Sequence, residues 1–321
     1  MHGAELARLA REAGEADARG ALGEAASAWR RALELLPAEA GQAAQIRARL
    51  ETLSRRIERA GPGAAVPTPD GVGAAGRGRL GARAGLLATA GLLVWKFKAL
   101  ILLALGKGKL FLVGLTKLPT LLSMAASVGL YWTIWGWRFA VGLVASIYVH
   151  EMGHVFALRR YGIAASAPMF IPGLGAFIRS KSVMTSPRES ARVGLAGPLF
   201  GLGATVVVYA AHLATGWESL AAIARVGAWV NLFNLLPLAT LDGGRGFSSF
   251  TRLQRGLAAV VLALCWVGTH EGLLLLLLVC AAARAFVGRA ADEPDWPALA
   301  QYAFLCAALS AGTLIPVSGI P

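Results

Sequence analysis

The residues best suited to chemistry lie in HEMGH, His150 to His154, inside the run IYVHEMGHVFALRR at 147–160. On a helix His150 and His154 stand four residues apart and share one face. Two imidazoles at that spacing can bind one zinc ion. Glu151, one residue on, then sits beside the metal, where a carboxylate serves as general base toward water. Catalytic zinc takes three protein ligands and keeps one position open, so a third ligand must come from elsewhere. Asp242, in LDGG, is the best candidate, because it is the acidic residue at matching membrane depth. The two glycines after it permit a tight turn and a close backbone approach. A plain turn acid is the alternative for it. His2, His212 and His270 with its neighbour Glu271 are terminal or lie at outer helix ends, and no chemistry is expected of them.

The surroundings of these residues are those of a membrane protein. The 321 residues are 56% hydrophobic and only 15% charged, with a mean hydropathy of +0.59. That apolar share exceeds the roughly 45–50% of soluble domains. Ionisable groups at the centre of a span cost about 2.5–3.5 kcal/mol each. Zinc binding of about 10–16 kcal/mol, as in structural sites, offsets several such groups. The net charge of +13 lies mostly between apolar runs, which fits retention of positive loops in the cytoplasm. No basic motif with interleaved aromatics appears, so nucleic acid is not an expected partner. Cys265, Cys280 and Cys306 have no ligand-like spacing and read as buried thiols.

Five regions follow from composition. Residues 1–60 are rich in Ala, Arg, Glu and Leu at helical spacing and form a small soluble helical module. Within it, GALGEAASAWRRALELLPAEA reads as a helix stopped at Pro37. Ala25, Trp29, Ala32 and Pro37 resemble the second helix of a tetratricopeptide repeat, and a plain helical hairpin is the alternative. Residues 61–83 read as a flexible Gly/Pro/Ala linker. Residues 84–117 are apolar but broken by Lys96, Lys98, Lys107, Lys109 and Lys117, which favours helices lying at the membrane interface, in contact with the lipid bilayer; a distorted span is the alternative. Residues 118–250 hold the polar motifs, and 251–321 add further spans. Spans are expected near 118–136, 138–158, 191–213, 220–238, 256–270, 272–288 and 297–315, with a break at Gly136. The fold class is therefore an all-α polytopic membrane protein.

The N-terminus lacks the apolar stretch of a secretory signal, so it is placed in the cytoplasm. Alternation then puts Arg159, Arg160, Arg179, Lys181, Arg188, Arg192, Arg245, Arg252, Arg255, Arg284 and Arg289 on the cytoplasmic side. HEMGH and LDGG both come to lie near that face. Tyr131, Trp132, Trp135 and Trp137 form an aromatic belt at the opposite interface.

HEMGH followed by NLLPLATLDGG, with AGPLFG at 196–201 between them, resembles the site-2 protease family of intramembrane zinc metalloproteases. The resemblance covers roughly residues 118–250. It implies a multi-pass protein of a bacterial inner membrane that hydrolyses a peptide bond in or near the span of a single-pass membrane protein. It implies zinc held by His150, His154 and Asp242, with Glu151 as base. It places Asn234 at the active site, where its amide can bind the substrate backbone or the oxyanion; a buried amide gluing helices is the alternative, and is the expected role of Asn231. SAPMFIPGLGAFIRS, 166–180, resembles the family's short re-entrant hairpin, which can pair with an extended substrate strand; a surface loop is the alternative. No PDZ-like domain fits between the motifs, so residues 1–60 are the expected regulatory part, docking a cytoplasmic protein. A zinc-binding scaffold that docks partners without cleaving is the reading from another class.

Overall fold

The computed structural model describes residues 3–60 except 38, and 118–317 except 181 and 239. The expected linker at 61–83 and interfacial helices at 84–117 lie outside these residues. Three helices come first: α1 (Gly3–Ala18), α2 (Leu22–Glu34) and α3 (Gly41–Arg59). Each carries its apolar residues on one stripe, and α2 stops just before Pro37, which cannot continue a helix. Then follow α4 (Leu118–Trp135), α5 (Trp137–Arg160), a hairpin of β1 (Met169–Ile171) and β2 (Gly175–Phe177), α6 (Pro187–Thr215) and α7 (Glu218–Asn234). The chain closes with the short α8 (Asp242–Phe247), α9 (Arg252–Thr269), α10 (Gly272–Phe286) and α11 (Trp296–Gly312).

Two of the described helices, α5 and α6, are long and apolar enough to cross a membrane. α4 is built inside out. Its buried residues are Thr120 and Ser127, while Leu118, Leu122, Trp132, Ile134 and Trp135 face outward. α9 buries Gln254 and Arg255 along with Ala258 and Leu262, and exposes Leu253, Leu257, Val260, Leu264 and Val267. Such apolar faces are a liability in water. The break between α4 and α5 is Gly136, at φ +83°, a left-handed backbone that glycine adopts without strain.

α5, α6 and α7 pack against one another and form the wall of the site. α6 begins with Ser186, whose hydroxyl caps the Glu189 amide, and Pro187 fills its first turn. α11 holds the α7–α8 connection in place, with Tyr302 Oη donating to the Leu235 carbonyl at 3.0 Å and Gln301 reaching the Leu195 carbonyl of α6 at 3.2 Å. Residues beyond 251 thus share one packed interior with α6 and α7. In the hairpin, Met169, Phe170 and Ile171 pair antiparallel with Phe177, Ala176 and Gly175. The Phe170 amide donates to Ser123 Oγ of α4 at 3.2 Å, and β2 packs on α5.

The N-terminal helices are bolted to this core. Leu9, Ala25, Ile46, Leu50 and Leu53 share one apolar cluster with Ala157, Leu158 and Tyr161 at the end of α5, and with Val193 and Ala196 of α6. At the centre, Arg30 Nη2 meets Glu189 Oε1 at 2.7 Å, with the two side chains 3% and 0% exposed. Ser54 donates to the same Glu189 oxygen, and the Thr185 amide and hydroxyl donate to the other. Arg30 also donates to the Val183 carbonyl at 2.9 Å. Burial in this contact, with Glu58 nearby, pushes the Tyr161 phenol well above its usual range.

Candidate metal centre

Three side chains from two elements converge. On α5, His150 Nε2 and His154 Nε2 stand 3.2 Å apart. Asp242, the first residue of α8, brings Oδ2 to 3.1 Å from His150 Nε2 and Oδ1 to 3.2 Å from His154 Nε2. All three residues are buried.

The tautomers follow from the partners on the far side of each ring. The Val193 carbonyl, 2.8 Å from His154 Nδ1, can only accept, so Nδ1 carries the proton. Asn231 donates its Nδ2 to the Gly227 carbonyl at 2.7 Å, which leaves its Oδ1 to accept from His150 Nδ1 at 2.7 Å. With both rings neutral, the two Nε2 atoms present lone pairs to each other and to a carboxylate. Such a triangle is held together by a cation among its members, either a proton on a ring or a shared metal ion. Its edges of 3.1 to 3.2 Å suit tetrahedral zinc, whose bonds of about 2.0–2.1 Å give ligand separations of about 3.3 Å. The donor set and its spacing fit zinc.

Glu151 is also buried, and a carboxylate oxygen lies within 4.8 Å of the nitrogens of both imidazoles. It stands beside the triangle. A cavity of about 440 Å³ opens on this group; Ser146, Asn231, Asn234, Thr240 and Arg245 join its wall, and the hairpin from Gly173 to Ile178 closes one side. Asn234, the last residue of α7, lines this cavity.

α6 reaches the rings through glycines. A Cβ on Gly197 would run into Nε2 of both His154 and His150, and one on Gly201 would run into the Asn231 amide. AGPLFG is thus the flat surface against which the imidazoles and their orienting amide lie. Asn231 does more than glue helices, because it fixes the ring of His150. Arg245 was read from the sequence only as a positive loop residue, and the structure puts it in the cavity wall. The signal was faint in both cases: Asn231 lies three residues before Asn234, and Arg245 three after Asp242.

These features describe a helical protein with a candidate two-histidine, one-carboxylate metal centre and apolar helices suited to a membrane. Residues 138–217 match the family model of peptidase family M50, and the chain is similar there to the site-2 proteases. It is 26% identical over 141 residues to zinc metalloprotease MJ0392 of Methanocaldococcus jannaschii, covering 42% of this chain and 40% of that protein. It is 34% identical over 125 residues to Rip3 of Mycobacterium tuberculosis, whose name is of the same class, covering 36% of this chain and 31% of that one. The chain therefore aligns with two fifths or less of these relatives' lengths. No solved structure gives a significant match.

Proposed function

We propose that this protein is a zinc-dependent intramembrane endopeptidase that hydrolyses a peptide bond in or near the span of a single-pass membrane protein. The observation that carries the reading is the triangle of His150, His154 and Asp242 with Glu151 beside it. The names of the relatives, which describe zinc metalloproteases, support it.

When bound, zinc supplies a Lewis acid that polarises the scissile carbonyl and makes water a better nucleophile. His150, His154 and Asp242 would hold it, and Asn231 and Val193 keep the two rings oriented. Glu151 takes a proton from the attacking water as its oxygen bonds to the carbonyl carbon. It then passes that proton to the amide nitrogen as the C–N bond breaks. Asn234 holds the substrate backbone from the end of α7. The substrate lies as an extended strand along β2, the hairpin strand that borders the cavity, since a helix must be opened before a protease can cut it.

The helices beyond α5 and α6 complete a multi-pass inner-membrane protein with a cytoplasmic N-terminus, and the arginines at 159–192 and 245–289 support that orientation. Residues 1–60 present the face turned away from the core to a cytoplasmic partner. Purified protein reconstituted with single-span substrates, with and without a zinc chelator, tests the reading. Cleavage that stops on chelation and returns with zinc is the expected result. Bound zinc without cleavage of any such substrate would leave the scaffold reading in its place.

A further inference from the structure

Arg245 lies one turn after Asp242 on α8, in the wall of the metal cavity. It is the one lysine or arginine among the described residues of that wall. The neighbouring arginines are all engaged. Arg30 pairs with Glu189, Arg192 with Asp295, and Arg255 donates to the carbonyls of Phe247, Arg284 and Arg289. Arg245 makes no side-chain hydrogen bond or ion pair with any described residue. Its stem is nonetheless positioned. It crosses α6 at Gly194, where an added Cβ would meet Arg245 Cβ at 2.6 Å and Cδ at 3.4 Å. Arg245 and Glu151 line the same cavity.

A partly buried arginine with its donors free, lining the cavity that also holds the general base, suits an acceptor supplied by the ligand. Its planar fork suits a carbonyl or carboxylate oxygen. A peptide substrate brings such an oxygen, and that oxygen gains full negative charge when water adds to its carbon. We propose that Arg245 is a catalytic residue that donates to this oxygen. Water oxygen bonds to the carbonyl carbon, and the π pair moves onto the carbonyl oxygen, where Arg245 meets the charge. The pair then returns, the C–N bond breaks, and nitrogen takes the proton that Glu151 carries. The assignment rests on the endopeptidase reading and adds a residue to it.

The test uses the full-length protein in lipid, as wild type, Arg245→Gln and Arg245→Lys, on a substrate that the wild type cuts in a chelator-sensitive way. Arg245→Gln should keep the zinc content of the wild type and lose about 10²–10³-fold in kcat, as removal of an oxyanion donor does. KM should move by less than about threefold. Arg245→Lys should recover part of the loss. Binding provides a second readout. Affinity for a phosphinic peptide, a tetrahedral anion, should fall by the same factor as kcat/KM. Binding of uncut substrate to Glu151→Gln protein should be the same with and without Arg245→Gln. Loss of zinc, a kcat within about threefold of wild type, or weakened binding of uncut substrate would each overturn the assignment. If the wild type cuts no substrate, the endopeptidase reading falls and this one with it; if the wild type cuts and Arg245→Gln cuts equally well, only the role of Arg245 falls.

Discussion

At the scale of single residues, the site divides into groups that would hold an ion and groups that hold the ligands still. Glu151 stands outside the triangle, so its neutral isostere should leave the metal alone. Glu151→Gln is expected to bind as much zinc as the wild type and to lose roughly 10²–10⁴-fold in cleavage rate. Metal analysis and single-turnover cleavage on one preparation check both halves. Asn231 has the opposite signature. Its Oδ1 accepts from His150 Nδ1, and this bond sets which ring nitrogen offers its lone pair. Asn231→Ala should weaken zinc binding about 10–100-fold, read by competition with a chelator of known affinity, because ligands lacking their orienting partner bind worse by about that factor.

At the scale of elements, α6 supports the site without donating a ligand. Gly197 faces the two imidazoles and Gly201 faces the Asn231 amide, whereas Gly203 has open space where a Cβ would go. A methyl group at 197 must displace the rings or part α5 from α6. Gly197→Ala should therefore lose zinc on dialysis, while Gly203→Ala, on the same helix, should retain it. Equal retention by both variants would show that close packing of α6 on α5 is not what keeps the rings in place. The hairpin and α8 work the same way, as short elements held by longer ones: β1 by Ser123 of α4, and the approach to α8 by Tyr302 of α11.

At the scale of the whole molecule, the N-terminal helices and the core share one interior, pinned by Arg30 and Glu189. The Glu189 carboxylate also accepts from the Thr185 amide and hydroxyl just before α6, so one carboxylate ties the module, the segment after the hairpin, and α6 together. Glu189→Ala leaves a buried guanidinium without its counter-charge, which costs about 3–5 kcal/mol in comparable cases. The expected outcome is early thermal unfolding or rapid proteolysis of residues 3–60, with partial recovery on adding Arg30→Met. A variant as protease-resistant as the wild type would show that the apolar cluster alone secures the module.

Much of the site was legible before any coordinates. Ligand types, the four-residue spacing of His150 and His154, the matching depth of Asp242 and the break at Gly136 are local or one-dimensional properties, and hydropathy and helix periodicity carry them. What only the tertiary structure decided is how each helix is rotated against the next. Periodicity says which residues share a face of their own helix, but not which neighbour that face meets. Asn231 therefore reads as helix glue until it is seen against His150, 81 residues away in sequence. Val193 offers only a backbone carbonyl, which no side-chain pattern announces. Arg245 reads as loop charge until α8 turns it into the cavity. Nothing in the sequence pairs Arg30 with Glu189, which two separate segments bury together. Each depends on long-range packing, which a span-by-span reading does not contain.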